Sequence, residues 1–283
     1  MSCYQCPLCH LPLTLSGNVW SCERQHRFDC AREGYVNLLP VQFKRSKVPG
    51  DNQEMMQSRR AFLDAGHYQP LRDRVVELIR DLLPARSVDW LDIGCGEGYY
   101  TAALAAAVAE HSGGGEVYGL DIAKTAVRAA ARRYGQVRFC VASSQRLPFT
   151  DAALDGILRI YAPCNPAEMS RTVKPGGRVV TVTPGPRHLY QLKARIYPQV
   201  MLHPFKDESF DGFTAEHTQS LGYGMDLTGE EAAALLQMTP FAWRAAQDVA
   251  ARLSELAHFA CETDFIIRVW RRDAADYIPD SAV

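Results

Sequence analysis

The sequence predicts an α/β protein in which a mostly parallel, doubly wound sheet follows a small metal-binding ribbon. Three observations carry this reading. From about residue 87 strand-like and helix-like segments alternate, a glycine-rich turn joins the first of those strands to the first helix, and five of the nine cysteines lie within the first 30 residues. The 283 residues suffice for one large domain or two modest ones, and 47% hydrophobic with 22% charged residues is ordinary globular composition. The longest purely apolar run, Ala102 to Ala109, falls far short of the roughly 20 residues a bilayer span needs. The start Met1-Ser2-Cys3-Tyr4 lacks the basic-then-apolar pattern of a secretion signal. A soluble, cytoplasmic chain with no membrane partner is therefore expected.

The first 40 residues read as the ribbon. An odd and lopsided cysteine count in a chain without a secretion signal favours metal over disulfides. Cys6-x2-Cys9-x12-Cys22-x3-His26 offers two ligand pairs across a hairpin-sized stretch, and such a set closes a tetrahedral site with no position left for catalysis. One structural zinc per chain follows, with His10 or Cys30 as alternatives to His26 and a set of buried free thiols as the plainer reading. So short a segment buries too little apolar surface to fold alone, and metal binding would supply the difference. Residues 41–86 read as a basic, helical connector. From Arg24 through Arg27, Arg32, Lys44, Arg45, Lys47, Arg59 and Arg60, cations interleave with Phe28, Tyr35, Phe43 and Phe62. That alternation suits RNA, whose phosphates take the cations and whose unstacked bases take the rings; a solvated connector is the alternative. Charge is split in the same sense: residues 1–62 carry eight Lys/Arg against five Asp/Glu, although the whole chain is at −1.

Residues 87–283 hold the βα pattern. Val88 to Ile93 reads as a buried strand and Tyr99 to Glu110 as an alanine-rich helix. Strands follow at Glu116 to Asp121, Val137 to Val141, Leu154 to Arg159 and Arg178 to Thr183, with helices at 123–133 and 165–173 between them. Residues 186–258 exceed one crossover helix and carry Tyr190, Tyr197, His203, Phe205, Phe241, Trp243 and Arg244, which reads as a substrate-specificity insertion or as additional core. Asp264 to Arg271 alternates as an antiparallel edge strand should, and the last dozen residues read as a tail.

Between the first strand and helix of this part stands Asp92-Ile93-Gly94-Cys95-Gly96-Glu97-Gly98. Glycines there let the backbone turn tightly and approach a ligand at a helix N-terminus. The D-x-G-x-G-x-G spacing departs from the dinucleotide fingerprint and resembles the first motif of class I S-adenosylmethionine (SAM) methyltransferases, a Rossmann-like fold. That resemblance implies SAM as cofactor, with Asp92 facing its amino-acid part and Gly94, Gly96, Glu97 and Gly98 around it. Asp121 ends the second strand, where a carboxylate can accept both ribose hydroxyls; it also suits a helix N-cap. Leu147-Pro148-Phe149 and Lys174-Pro175-Gly176-Gly177 are similar to further methyltransferase elements. Ser143-Ser144 stands where many such enzymes place an Asp-Ala that reads adenine, so adenine contacts through backbone or water are expected.

Three stretches extend the resemblance over nearly the whole chain: Glu33-Gly34-Tyr35-Val36-Asn37-Leu38-Leu39-Pro40, Ala61-Phe62-Leu63-Asp64-Ala65-Gly66-His67-Tyr68 and Gln237-Met238-Thr239-Pro240-Phe241. With the ribbon, the connector and the glycine motif in this order, the chain resembles the bacterial 23S rRNA guanine-N1 methyltransferases. The resemblance implies methylation of one guanine in an rRNA hairpin loop, no DNA partner, and a homodimer whose ribbons frame the RNA. It also implies that Tyr68 and His188 contact the cofactor. A sister group that methylates a neighbouring guanine and confers macrolide resistance shares these motifs, and the connector and Gln237 to Phe241 favour the housekeeping group. Small-molecule SAM methyltransferases share the Leu-Pro-Phe element but have no use for a zinc ribbon.

Guanine N1 carries a proton, so transfer needs a general base or a group that stabilises charge on O6. Tyr161, after the fourth strand of the α/β part, is placed to stack on a flipped guanine, with Arg159 near O6; packing is an equal reading for each. Cys164 is no nucleophile here, since transfer to a ring nitrogen needs no covalent intermediate. His188 is open to either a cofactor or a base role.

Overall fold

The computed structural model describes residues 3–43, 53–112, 114–204, 208–246 and 248–274. Lys44, Arg45 and Lys47 of the basic stretch, Phe205 and most of the tail lie outside these residues. The ribbon forms a small antiparallel sheet of β1 (Thr14–Ser16), β2 (Val19–Ser21) and β3 (Arg27–Asp29). After it comes β4 (Val36–Asn37), which leaves the ribbon and joins the main sheet. Two helices follow, α1 (Gln53–Asp64) and α2 (Gln69–Leu82). In α2, Pro70 lies in the first turn, where a missing N–H costs nothing, and Leu71, Val75, Val76 and Ile79 form its buried stripe.

The α/β part runs β5 (Val88–Ile93), α3 (Tyr99–Ser112), β6 (Gly115–Asp121), α4 (Lys124–Arg133), β7 (Arg138–Val141), β8 (Leu154–Ile160), α5 (Pro166–Thr172) and β9 (Val173–Pro184). Then come α6 (Tyr190–Ala194), β10 (Phe213–Leu227), α7 (Gly229–Gln237), α8 (Val249–Ser254) and β11 (Phe259–Arg272). The sheet order is β10-β11-β9-β8-β5-β6-β7-β4. All neighbours from β9 to β4 pair in parallel, and β11 is antiparallel to both β9 and β10. The chain order reverses at β5, so the crevice above the carboxyl ends of β5 and β8 is the switch point at which such sheets bind ligands.

Two expectations need correction. The C-terminal strand β11 is antiparallel but internal, and the edge belongs to β10, which lies inside the stretch read as an insertion. The first half of β10 is largely exposed and gives no strand signal, but Leu221, Tyr223, Met225 and Leu227 alternate with exposed Ser220, Gly222, Gly224 and Asp226, a half-buried period that reading the stretch as an insertion passed over. The strand expected from Arg178 begins at Val173, because Val173 pairs with Leu154 before a register shift carries the Pro-Gly-Gly stretch past the ladder.

Each face of the sheet has its own core. Phe62, Tyr68, Leu71, Ile79, Leu104 and Leu235 pack on one face. On the other, Tyr4 of the ribbon is 1% exposed and meets Trp20, Tyr118 and Phe149 at ring-centroid distances of 5.1, 5.2 and 5.2 Å. The Gln5 N–H donates to Pro148 C=O, and β4 pairs with Cys140 and Val141 of β7. Ribbon and α/β part thus share a core and a sheet.

Candidate functional site

Two turns build the metal group. The His10 N–H donates to Cys6 C=O and the Gln25 N–H to Cys22 C=O, with His10 and Gln25 both at φ 62° so that each turn closes tightly. The donor atoms of Cys6, Cys9, Cys22 and His26 all lie within 4.8 Å of one another. Cys9 Sγ is 3.6 Å from Cys22 Sγ, and His26 Nδ1 is 3.5 Å from both Cys6 Sγ and Cys22 Sγ. A tetrahedron with Zn–S bonds of about 2.3 Å has S···S edges of roughly 3.7 Å, so the group fits zinc as it stands. His10 and Cys30, the alternative ligands, stand outside the group: Cys30 bridges to Val36 in the backbone instead.

The crevice is built from the loops after β5, β6 and β8. Gly94, Gly96 and Gly98 have φ of +72°, +53° and +85°, the left-handed region that glycine tolerates best. A Cβ on Gly94 would lie 2.6 Å from Ala162 Cβ, so the glycine loop touches the loop after β8; a Cβ on Gly96 would meet nothing within 4 Å, which leaves that turn open to a ligand. Asp121 stitches the turn, accepting from the Gly96 N–H at 3.0 Å and from the Ala123 N–H at 2.8 Å. Asp92 lies beneath the loop, 3% exposed, and accepts from Thr101 Oγ1 at 2.6 Å. Burial, reinforced by the charge of Asp121 and opposed by the Thr101 hydrogen bond, pushes its carboxyl up to about 7. Glu97 takes a bidentate bond from Arg60 of α1, both contacts at 2.5 Å, which ties that helix across the motif.

Tyr161 stands at the mouth of the crevice, 45% exposed and at φ 55°, an unusual backbone state for a bulky residue and one that clusters at functional sites. Its hydroxyl lies 3.4 Å from His188 Nε2, and the two rings pack on Phe265 at 6.3 and 4.7 Å. His188 is 6% exposed, and burial first, then the charges of Lys193 and His203, lower its pKa to about 3. Tyr68 is buried beside this group, its ring edge-on to Phe265 at 5.3 Å. Burial pushes the hydroxyls of Tyr68 and Tyr161 up, so both stay protonated.

The structure therefore brings together the glycine loop, Asp92, Asp121, Tyr68, Tyr161 and His188, and it joins the four ribbon ligands. Arg159 goes elsewhere. In register with Thr181 and Arg268, it turns its guanidinium to Glu208 at 3.3 Å and over the Phe210 ring at 5.3 Å. Sequence reasoning missed Thr101, nine residues beyond Asp92, and Arg60, Asp264 and Phe265, which brace the crevice through contacts between residues far apart in the chain. A separate cavity of about 530 Å³ opens between the ribbon and the loop after β7, lined by Gln5, His10, Phe43, Ser143, Gln145 and Arg146 among others. The Arg146 guanidinium lies 4.2 Å from the Phe43 ring centroid.

A closed zinc ribbon docked on a class I sheet with this glycine loop defines a zinc-containing, SAM-dependent methyltransferase. The comparisons agree part by part. Residues 4–47 match a zinc-ribbon family described as "RlmA, N-terminal", and residues 91–177 match a methyltransferase domain. A Streptomyces fradiae protein named 23S rRNA (guanine(748)-N(1))-methyltransferase is 40% identical over 190 residues, covering 66% of this chain and 65% of the relative. The chain thus spans just under two thirds of that relative's length. Over 94% of this chain and 96% of its own length, a Bacillus subtilis protein provisionally named 23S rRNA (guanine-N(1)-)-methyltransferase is 31% identical. A provisionally named counterpart from Micromonospora griseorubida is 32% identical over 84% of this chain and 86% of its own. The chain belongs to the 23S rRNA guanine-N1 methyltransferase family.

Proposed function

We propose that this protein methylates N1 of one guanine in a hairpin loop of 23S rRNA, as a housekeeping modification. The observation that carries the reading is the rigid docking of the zinc ribbon beside a SAM crevice whose mouth presents an exposed tyrosine. Residues 1–40 form the RNA-recognition module, 41–86 the connector and 87–283 the transferase part. Tyr161, at the mouth of the crevice, meets the extruded guanine. Gly94, Gly96 and Gly98 cradle the cofactor, Asp121 takes its ribose, Asp92 and Glu97 stand at its amino-acid end, and Tyr68 lines its pocket. When bound, SAM would supply a sulfonium methyl to N1, the electron pair of the broken S–CH3 bond staying on sulfur and the N1 proton leaving to solvent water. What this chain must do is hold N1 in line and stabilise negative charge on O6. Arg159 can serve O6 only if RNA draws it from Glu208, so its role is secondary to that of Tyr161.

Phe43, Arg146 and the ribbon edge that line the second cavity offer rings and cations to flanking nucleotides. The protein works in the cytoplasm, where the rRNA is, and as a homodimer whose two ribbons frame the hairpin. A second reading, in which the target is the guanine numbered 748, is favoured by the 40% identity to the relative whose name carries that number. Primer extension across 23S rRNA from cells with and without the gene tests both. A methyl on N1 halts reverse transcriptase, so a stop that disappears with the gene gives the substrate and position. No change at any guanine would refute the reading.

A further inference from the structure

We propose that His188 is a positioning residue that sets the hydrogen-bond direction of Tyr161, so that the phenol proton is presented to guanine O6; this rests on the guanine-N1 reading above. The inference follows from one backbone group. The Asp264 N–H donates to His188 Nδ1 at 3.2 Å, and an N–H has no lone pair with which to accept. Nδ1 must therefore be the bare nitrogen. A neutral imidazole with a bare Nδ1 carries its proton on Nε2, and Nε2 is the atom 3.4 Å from the Tyr161 hydroxyl. The Nε2–H therefore donates and the phenol oxygen accepts. With that direction set, the phenol's own proton is available to a ligand in the crevice.

The surroundings hold this arrangement in place. A Cβ on Gly185 would lie 2.3 Å from the Asp264 carboxylate, and the Gly185 N–H donates to Asp264 C=O at 2.7 Å. The Arg187 N–H donates to Asp264 Oδ2 at 3.0 Å, and Leu189, next to His188, is left-handed at φ 56°. The turn that carries His188 is thus bound at three points to one residue of β11, and Phe265 supports both rings. As N1 loses its proton, charge moves onto O6, where a pre-aimed phenol donor is most effective. The 3.4 Å contact is long, as catalytic hydrogen bonds often are before substrate tightens them.

The test uses full-length, zinc-loaded protein and rRNA from a strain lacking the gene. Tyr161→Phe should lower kcat on the order of 100-fold, the usual loss for one such donor. His188→Asn, which can still accept from the Asp264 N–H but cannot reach the phenol, should lower kcat about tenfold with KM for SAM unchanged. His188→Gln, whose amide nitrogen replaces Nε2, should restore most of that loss. The Tyr161→Phe, His188→Asn double variant should be no slower than Tyr161→Phe alone. Multiplicative losses, or a raised KM for SAM in His188→Asn, would overturn the proposal in favour of a structural or cofactor role. Nitrogen-15 spectra of histidine-labelled protein, with the signal assigned through His188→Gln, supply an arm independent of activity. A proton on Nε2 is expected, and a proton on Nδ1 overturns the proposal. If the wild type methylates no rRNA, the functional reading fails, and the spectra still decide the tautomer on which this inference depends.

Discussion

Asp92→Asn should stabilise the protein without cofactor at alkaline pH while removing its affinity for SAM. The carboxyl lies fully buried under the glycine loop and is pushed up from 3.8 to about 7, chiefly by burial. Between those two values the folded chain keeps the proton that the unfolded chain has lost. Stability therefore falls as pH rises through that window, and above it the folded state carries the whole cost of an ionised buried group. The gap corresponds to a ceiling of roughly 4 kcal/mol. Asparagine keeps an oxygen to accept from Thr101 and never ionises, so it escapes this cost. Urea unfolding of wild type and variant, followed by tryptophan fluorescence at pH 4 and pH 8, isolates the effect, because other titrating groups cancel in the difference. The variant should gain on the wild type by a few kcal/mol between the two pH values, and calorimetry at pH 8 should show SAM binding lost. An equal difference at both pH values would refute the argument that Asp92 is held protonated by burial, and unchanged SAM affinity would remove it from the cofactor site.

Three further outcomes are expected. Tyr4→Ala removes a fully buried ring from the aromatic cluster that docks the ribbon and should cost about 3–5 kcal/mol, read as a lowered unfolding midpoint; a cost under 1 kcal/mol would mean that the ribbon is held elsewhere. Cys22→Ser, or chelation of zinc, should loosen the ribbon's metal-bound turns and weaken RNA methylation while SAM binding by the full chain stays nearly intact, measured by calorimetry and metal content. Gly94→Ala forces a left-handed alanine whose Cβ would lie 2.6 Å from Ala162, so SAM affinity should fall at least tenfold with little change in zinc content.

What the sequence makes legible is whatever repeats along the chain or sits within one turn. The βα alternation, the glycine loop and the Cys-Cys-Cys-His spacing are local patterns, and apart from the earlier start of β9 the strands and helices of the βα run lie where they were expected, with the four ribbon donors together. Contacts between distant residues left no such trace. Nothing near Arg60 indicates that its partner is Glu97, and nothing near His188 indicates that Asp264 N–H decides which ring nitrogen carries its proton. The edge strand β10 was passed over for a different reason: its first half is exposed, and the alternation of Leu221, Tyr223, Met225 and Leu227 lies inside a stretch whose aromatic residues drew a reading as an insertion. Arg159 shows the converse hazard: its position in the chain suits a role beside Tyr161, but the parity of β8 and the left-handed turn at Tyr161 leave its guanidinium on Glu208.

The docking of the ribbon has a mechanical consequence for substrate choice. Had the zinc module hung on a flexible connector, RNA bound there would reach the crevice at many distances, and effective concentration alone would favour methylation. Instead β4 is hydrogen bonded into the main sheet beside β7, and Tyr4 is locked between Trp20, Tyr118 and Phe149. The loop after β7 then lines the second cavity through Ser143 and Gln145, while the Ser144 C=O accepts from the Asn165 N–H in the loop that begins at Tyr161. Ribbon, cavity and the loop that carries Tyr161 are therefore joined by short covalent and hydrogen-bonded steps among the described residues. Such a frame discriminates by spacing: an RNA whose gripped nucleotides and target guanine match its span binds without distorting either partner, and one with an extra loop nucleotide does not. Inserting a single nucleotide between the stem and the target guanine should thus lower methylation sharply while leaving RNA affinity within a few fold. Equal methylation of both lengths, measured on paired synthetic hairpins, would show that the ribbon tethers the RNA without measuring it.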